Sequence, residues 1–265
     1  MSQPIVKEYA LPRDIAISTL QAGKGAPVIF IHGAGGLMWD PFLDALSERH
    51  TVIAPFLPGT GASRGLENIR DMWDLVVTYQ DLLDAIGHDK VDLIGHSMGG
   101  MIAFELAAAE SSRVRKIAAI APAGLFSEDH PIPDFFAMLP EDLIAHLVYD
   151  KDSPLAKLMM AMPDDLEEKV SFIIERMTIS AAAAKFLWPI PDRGLKRRLH
   201  RVKAPTLMLW GKQDRLIPVA YAEDFKRGIP DARIEIIDRA GHMVQLEQME
   251  QSLKIVGGFL GPDRR

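Results

Sequence analysis

The sequence predicts an α/β fold: a mostly parallel central sheet flanked by helices and carrying a helical insertion. Three observations predict it. Short β-rich runs alternate with longer helical patterns along most of the chain. Several of the short runs are continuously apolar, as strands buried on both faces must be. Between residues 124 and 201 the alternation stops, and no strand-like run occurs there.

The elements follow in order. Residues 15–20 alternate and predict an early antiparallel edge strand. Residues 27–31 (Pro-Val-Ile-Phe-Ile) read as a central buried strand, followed by strands at 51–54 and 91–94. Residues 117–120, 206–210 and 233–237 continue the series. Helical patterns fill 71–86, 97–109, 218–227 and 245–260.

The interrupted region reads as three helices, at 135–149, 154–162 and 164–187. Ser153-Pro154 is a good helix start, with a capping hydroxyl and proline at the first helical position. Residues 1–123 and 202–265 are therefore expected to form one core domain, with 124–201 laid over it as a lid. Met and aromatic side chains crowd the insertion, among them Phe135, Met159, Met160, Met162, Met177 and Trp188. Each alone reads as packing, but together they imply an adaptable apolar pocket beneath the insertion. The basic run 196–201 reads as a solvated helix face with Leu195 and Leu199 turned inward.

Bulk properties bound the function. The 265 residues are 48% hydrophobic and 25% charged, an ordinary globular composition. Cysteine is absent, which removes disulfides, thiolate metal sites and thiol nucleophiles. A net charge of −6, spread along the chain, implies a mildly acidic surface and argues against nucleic acid as the main partner. The first residues lack the pattern of a secretory signal, and no run is long and apolar enough to span a membrane. These features point to a cytoplasmic protein. Neither a phosphate-binding glycine loop nor an HExxH pattern occurs, so no cofactor or metal is implied. Oligomeric state is not legible.

Gly95-His96-Ser97-Met98-Gly99 follows the strand at 91–94 and opens a helix. The string G-x-S-x-G is weak evidence by itself; strand before and helix after give it meaning. Its glycines permit a tight turn that projects a strained serine. A serine hydroxyl needs a base, and the base needs an acceptor to hold its tautomer. Such turns place serine, acid and histidine in that order along the chain. His242 lies just past the strand at 233–237, where a loop can bring it above the sheet. Asp214, in the turn after 206–210, is the favoured acid; Asp238, at the end of the histidine's own strand, is its rival. His32-Gly33-Ala34-Gly35-Gly36 follows the strand at 27–31 and can aim a backbone N–H at Ser97. Ala34 is the favoured donor to an oxyanion, with Gly35 the alternative. Met98 N–H is the second donor, because a first-turn N–H has no intrahelical acceptor.

From about residue 26 to 259 the sequence resembles the lid-bearing α/β-hydrolases. HGAGG at His32, PGTGAS at Pro58, GHSMGG at Gly95, GKQDRLIP at Gly211 and AGHMVQLEQ at Ala240 carry the resemblance. It implies Ser97 as nucleophile, His242 as base, Asp214 as the orienting acid, and Ala34 and Met98 as oxyanion donors. His32, His96 and the Pro58 loop resemble scaffold positions. Relatives that open epoxides or displace halide carry aspartate at the elbow; Ser97 here implies acyl transfer to water, with a small-molecule ester as substrate. Relatives that cleave carbon–carbon bonds often have Asn before the serine and Trp after the histidine, where this chain has His96 and Met243. Carbon–carbon hydrolase, enol-lactonase or lyase activity with the same residues remains an alternative, as does a non-catalytic ligand receptor on this scaffold.

Overall fold

The structure, a computed structural model, describes residues 3–190, 192–229 and 231–261. Eight strands form one sheet: β1 (Ile5–Leu11), β2 (Ile15–Ala22), β3 (Pro27–Ile31), β4 (Thr51–Pro55), β5 (Val91–His96), β6 (Val114–Ile120), β7 (Thr206–Gly211) and β8 (Arg233–Ile237). Their spatial order is β1-β2-β4-β3-β5-β6-β7-β8. The β1–β2 and β2–β4 pairs are antiparallel and the remaining pairs parallel.

The helices are α1 (Pro41–Ser47), α2 (Met72–Ile86), α3 (Met98–Ala109), α4 (Pro140–Leu147), α5 (Pro154–Met160), α6 (Leu166–Leu187), α7 (Tyr221–Gly228), α8 (Val244–Glu247) and α9 (Met249–Leu260). The pleat of the central strands sorts the core into two layers. Val28 and Phe30 pack with Phe42 and Leu43 of α1 and Val256 of α9. Ile29 and Ile31 face the other way, into the layer holding Leu82 of α2 and Ile102 of α3.

Two sequence expectations are corrected, and two elements, β1 and α1, were not expected. The strand beginning at Ile15 is not the edge: β1 pairs with it through a turn in which Arg13 and Asp14 adopt φ of 65° and 55°. Residues Ile5 to Glu8 are exposed, so no apolar pattern marked β1. Helix α1 also escaped notice, although Asp40 caps it by accepting from Leu43 N–H and Pro41 opens it. The helix expected at 245–260 is divided into α8 and α9 around Gln248.

Among the described residues 124–201 are helical or irregular, with no strand. Ser153 caps α5 as its sequence predicts, accepting from Ala156 N–H at 3.1 Å. Asp165 caps α6 through two N–H groups. In the basic run Leu195 and Leu199 are buried, as anticipated, but Arg198 is not simply solvated. It forms a two-pronged pair with buried Glu105 of α3 at 2.7 and 2.6 Å, tying this segment to the core. Among the described residues no helix is long and apolar enough to cross a membrane.

The topology places the site. From β3 the chain moves to one side, to β4, and then crosses to the other side, to β5. Loops leaving the C-terminal ends of β3 and β5 diverge to opposite faces there, opening a crevice at the switch point. The His32 loop and Ser97 occupy those two ends.

Candidate active site

Ser97 stands between β5 and α3 with φ 55° and ψ −117°, a strained conformation for a residue with a side chain. The surrounding backbone over-determines it. Ser97 N–H donates to Ile120 O at 2.9 Å, and Ser97 O accepts from Gly100 and Ala123 N–H. A Cβ on Gly99 would lie 1.9 Å from Ile31 O, and one on Gly95 would lie 2.4 Å from Gly99 O. Only glycine lets α3 approach β3 this closely.

His242 Nδ1 donates to Asp214 Oδ2 at 2.8 Å. Asp214 Oδ1 accepts from the N–H groups of Leu216 and Ile217 at 2.9 and 2.8 Å, so the carboxylate is fully engaged and rigid. Both side chains are almost completely buried. The rival, Asp238, points away: its carboxylate is exposed, accepts from Gln213 Nε2 at 2.9 Å and lies 3.4 Å from Lys212 Nζ. Those two partners hold it below the usual carboxylate range, the Gln213 bond most of all. Among the described residues no hydrogen bond joins Ser97 Oγ to His242 Nε2. Such links often tighten only around substrate.

Two further histidines complete the cluster. His96 Nε2 donates to the main-chain carbonyl of His242. Burial, followed by the nearby His242, lowers the His96 pKa to about 3. His32 Nδ1 donates to Gly33 O at 2.7 Å while Nε2 accepts Leu57 N–H at 3.1 Å, joining the loops after β3 and β4. Burial lowers its pKa to about 4. Gly33 packs against both His96 and Ser97, which brings the His32 loop beside the serine. Among the described residues neither Ala34 nor Met98 N–H is taken by a protein acceptor.

Ser97 lines a narrow cavity of about 30 Å³ with Met101, Leu125, Ile132, Phe135, Leu187 and Arg193. Of the Met and aromatic residues flagged in the insertion, Phe135 reaches this cavity, while Met162, Met177 and Trp188 are exposed. Two residues near the site were not singled out in the sequence. Arg193 follows no motif and reaches the cavity only through the folded chain. Glu247, half-buried, accepts Gly241 N–H at 2.7 Å beside His242. Among the described residues no cluster of His, Cys, Asp and Glu could hold a metal ion.

Residues 26–248 match the model of a family described as alpha/beta hydrolase fold. The chain is 28% identical to a 2-hydroxy-6-oxo-6-phenylhexa-2,4-dienoate hydrolase of Comamonas testosteroni, over 93% of this chain and 92% of that one. Its fold is shared with a bacterial membrane phospholipase A, at TM-score 0.78 and 24% identity, covering 97% of this chain and 86% of that chain. A thermophilic esterase of Thermogutta terrifontis matches at TM-score 0.75 and 23% identity, covering 97% and 98%.

Proposed function

The chain belongs to the alpha/beta hydrolase family, and from that premise we propose that it cleaves a carboxylic ester of a small to medium apolar substrate through an acyl-enzyme. The observation that carries this reading is the strained Ser97 lining an apolar cavity, where a carboxylate nucleophile would instead direct alkyl chemistry.

Ser97 Oγ attacks the ester carbonyl while His242 Nε2 takes its proton. Asp214, accepting from Nδ1–H, keeps the ring in the tautomer whose Nε2 is free to act and stabilises the imidazolium. Negative charge gathers on the carbonyl oxygen and is met by the N–H groups of Ala34 and Met98. One such donor contributes about 3–4 kcal/mol to lowering the barrier. Collapse expels the alcohol, which leaves with the proton from His242. Water, deprotonated by the same histidine, then releases the acid and restores Ser97. The helical segment 124–201 acts as a lid: Leu125, Ile132, Phe135 and Leu187 wall the cavity from that side and keep bulk water from the acyl-enzyme.

A second reading, hydrolysis of a carbon–carbon bond by the same residues, is favoured by the dienoate hydrolase of Comamonas testosteroni. Turnover of p-nitrophenyl esters of increasing acyl length, with wild type and Ser97→Ala in parallel, tests the first. Serine-dependent hydrolysis supports it, and the preferred chain length sizes the pocket. Consumption of 2-hydroxy-6-oxo-6-phenylhexa-2,4-dienoate without any ester turnover would replace it with the second.

A further inference from the structure

Glu247 of α8 is a half-buried carboxylate that the reaction above does not use. Its Oε2 accepts Gly241 N–H at 2.7 Å, and its Oε1 accepts Tyr149 N–H at 2.6 Å. The first donor is the immediate neighbour of His242; the second follows the end of α4. One side chain thus spans the loop that carries the histidine and the helical segment that overlies the core. The same two stretches meet twice more. Met243 N–H donates to Leu147 O at 3.1 Å. Gly241 lies so close that an added Cβ would be 2.9 Å from Leu147 O and 3.0 Å from Tyr149 N. Beneath these contacts Val148, fully buried, clusters with Ile144, Ala156 and Met243.

We propose that Glu247 is a positioning residue that latches the 140–149 segment onto the His242 loop, so that seating of this segment sets the placement of the base. The inference rests on the reading of His242 as the general base. A carboxylate accepts through both oxygens and can hold two donors from different elements at a fixed separation; an amide accepts through only one. The charge also acts on the site. Asp214 and His242 are the titratable groups that bear on Glu247, the first repelling its charge and the second attracting it. Burial raises its pKa, and the two N–H bonds work against that rise. By the same attraction Glu247 favours the imidazolium that forms on His242 as Ser97 attacks.

Two variants separate latch from charge. Glu247→Gln removes the charge and one acceptor; Glu247→Asp keeps the charge but is too short to reach both donors. Hydrogen exchange of peptides covering 140–150 and 238–244 reads the latch, and kcat, KM and the pH profile on a p-nitrophenyl ester read the positioning. Both variants should exchange faster in both peptides and lose about tenfold in kcat with little change in KM, the equivalent of one hydrogen bond. Only Glu247→Gln should move the acid limb of the kcat/KM profile, to lower pH, because loss of the negative charge disfavours protonated His242. Unchanged exchange at 140–150 overturns the latch. Faster exchange with wild-type kcat and pH profile makes Glu247 a structural tie alone and overturns positioning. Should Glu247→Gln fail to fold, Glu247→Asp decides on exchange and kcat. Absence of ester turnover in the wild type counts against the ester reading, and the exchange measurement still decides the latch.

Discussion

His96 Nε2–H donates to the main-chain carbonyl of His242 at 3.0 Å, with the two rings 4.9 Å apart. The residue before Ser97 therefore anchors the backbone of the residue proposed to activate it, coupling the two sides of the site through a single bond. His96 must stay neutral to serve there, because a second cation would face the imidazolium that the proposed reaction places on His242. Its depressed pKa meets that requirement.

These depressed values set the direction of a pH effect on stability. Unfolded histidine titrates near 6.5, whereas His32 and His96 in the fold titrate at about 4 and about 3. Between those limits the unfolded chain binds more protons, so the stabilisation is complete above the unfolded value and is lost as pH falls. The slope approaches about 1.4 kcal/mol per pH unit for each histidine. Asp40 and Glu247, whose pKa values burial raises, act in the opposite direction. The urea midpoint should fall between pH 7 and 5, and His32→Asn or His96→Asn should each flatten that fall. A wild-type midpoint independent of pH over this range would refute the account.

Asp214 and Asp238 offer a direct contrast. In Asp214→Asn the amide can keep the bonds from Leu216 and Ile217 only by turning its NH₂ toward His242 Nδ1, which needs an acceptor. The ring is then driven to the wrong tautomer, and kcat should drop by orders of magnitude, as such changes do in serine triads. Asp238→Asn alters an exposed carboxylate bound to Gln213 and Lys212 and should leave kcat within about twofold. Steady-state kinetics of both variants checks the pair; a crippled Asp238→Asn with an active Asp214→Asn would reverse the assignment of the acid.

Legibility in the sequence follows burial. Strand β3 is buried along nearly its whole length, so an unbroken apolar run betrays it; β1 exposes Ile5 to Glu8 and mixes Lys7 and Glu8 among its apolar residues. Ser97, Asp214 and His242 were legible because each lies in a short turn after a strand, with glycine nearby to mark the bend. Arg193 was not, and Glu247, although it lies in the AGHMVQLEQ stretch, was not singled out because one of its two partners comes from distant chain. Tyr149, which Glu247 holds, is 98 positions away, and no local pattern encodes that meeting.

The strain at Ser97 separates activity from stability. A side chain at φ 55°, ψ −117° costs on the order of 1–3 kcal/mol, a cost that glycine does not bear in the folded state. Glycine gives back roughly 0.5–1 kcal/mol through the greater freedom of its unfolded chain. Ser97→Gly should therefore abolish ester turnover while leaving the thermal midpoint unchanged or raised. A clear fall in that midpoint would mean that the serine side chain supports the fold here.

Gly99 tests whether the elbow depends on close approach of backbones. The Cβ of an alanine at this position would fall 1.9 Å from Ile31 O and 2.4 Å from Ile31 C, atoms of β3 itself. No side-chain rotation relieves an overlap with main chain, so α3 must move off the sheet. That movement disturbs the tightly packed helix Met98–Ala109, buried along nearly its whole length, and shifts Ser97 relative to His242. Gly99→Ala should cost at least ~3 kcal/mol, the upper end for overpacking, and lower kcat together with stability. By contrast Gly35, where an added Cβ meets nothing within 4 Å, should accept alanine with stability nearly unchanged. Urea denaturation of the two variants decides it: equal midpoints would show that the approach of α3 to β3 is looser than 1.9 Å implies.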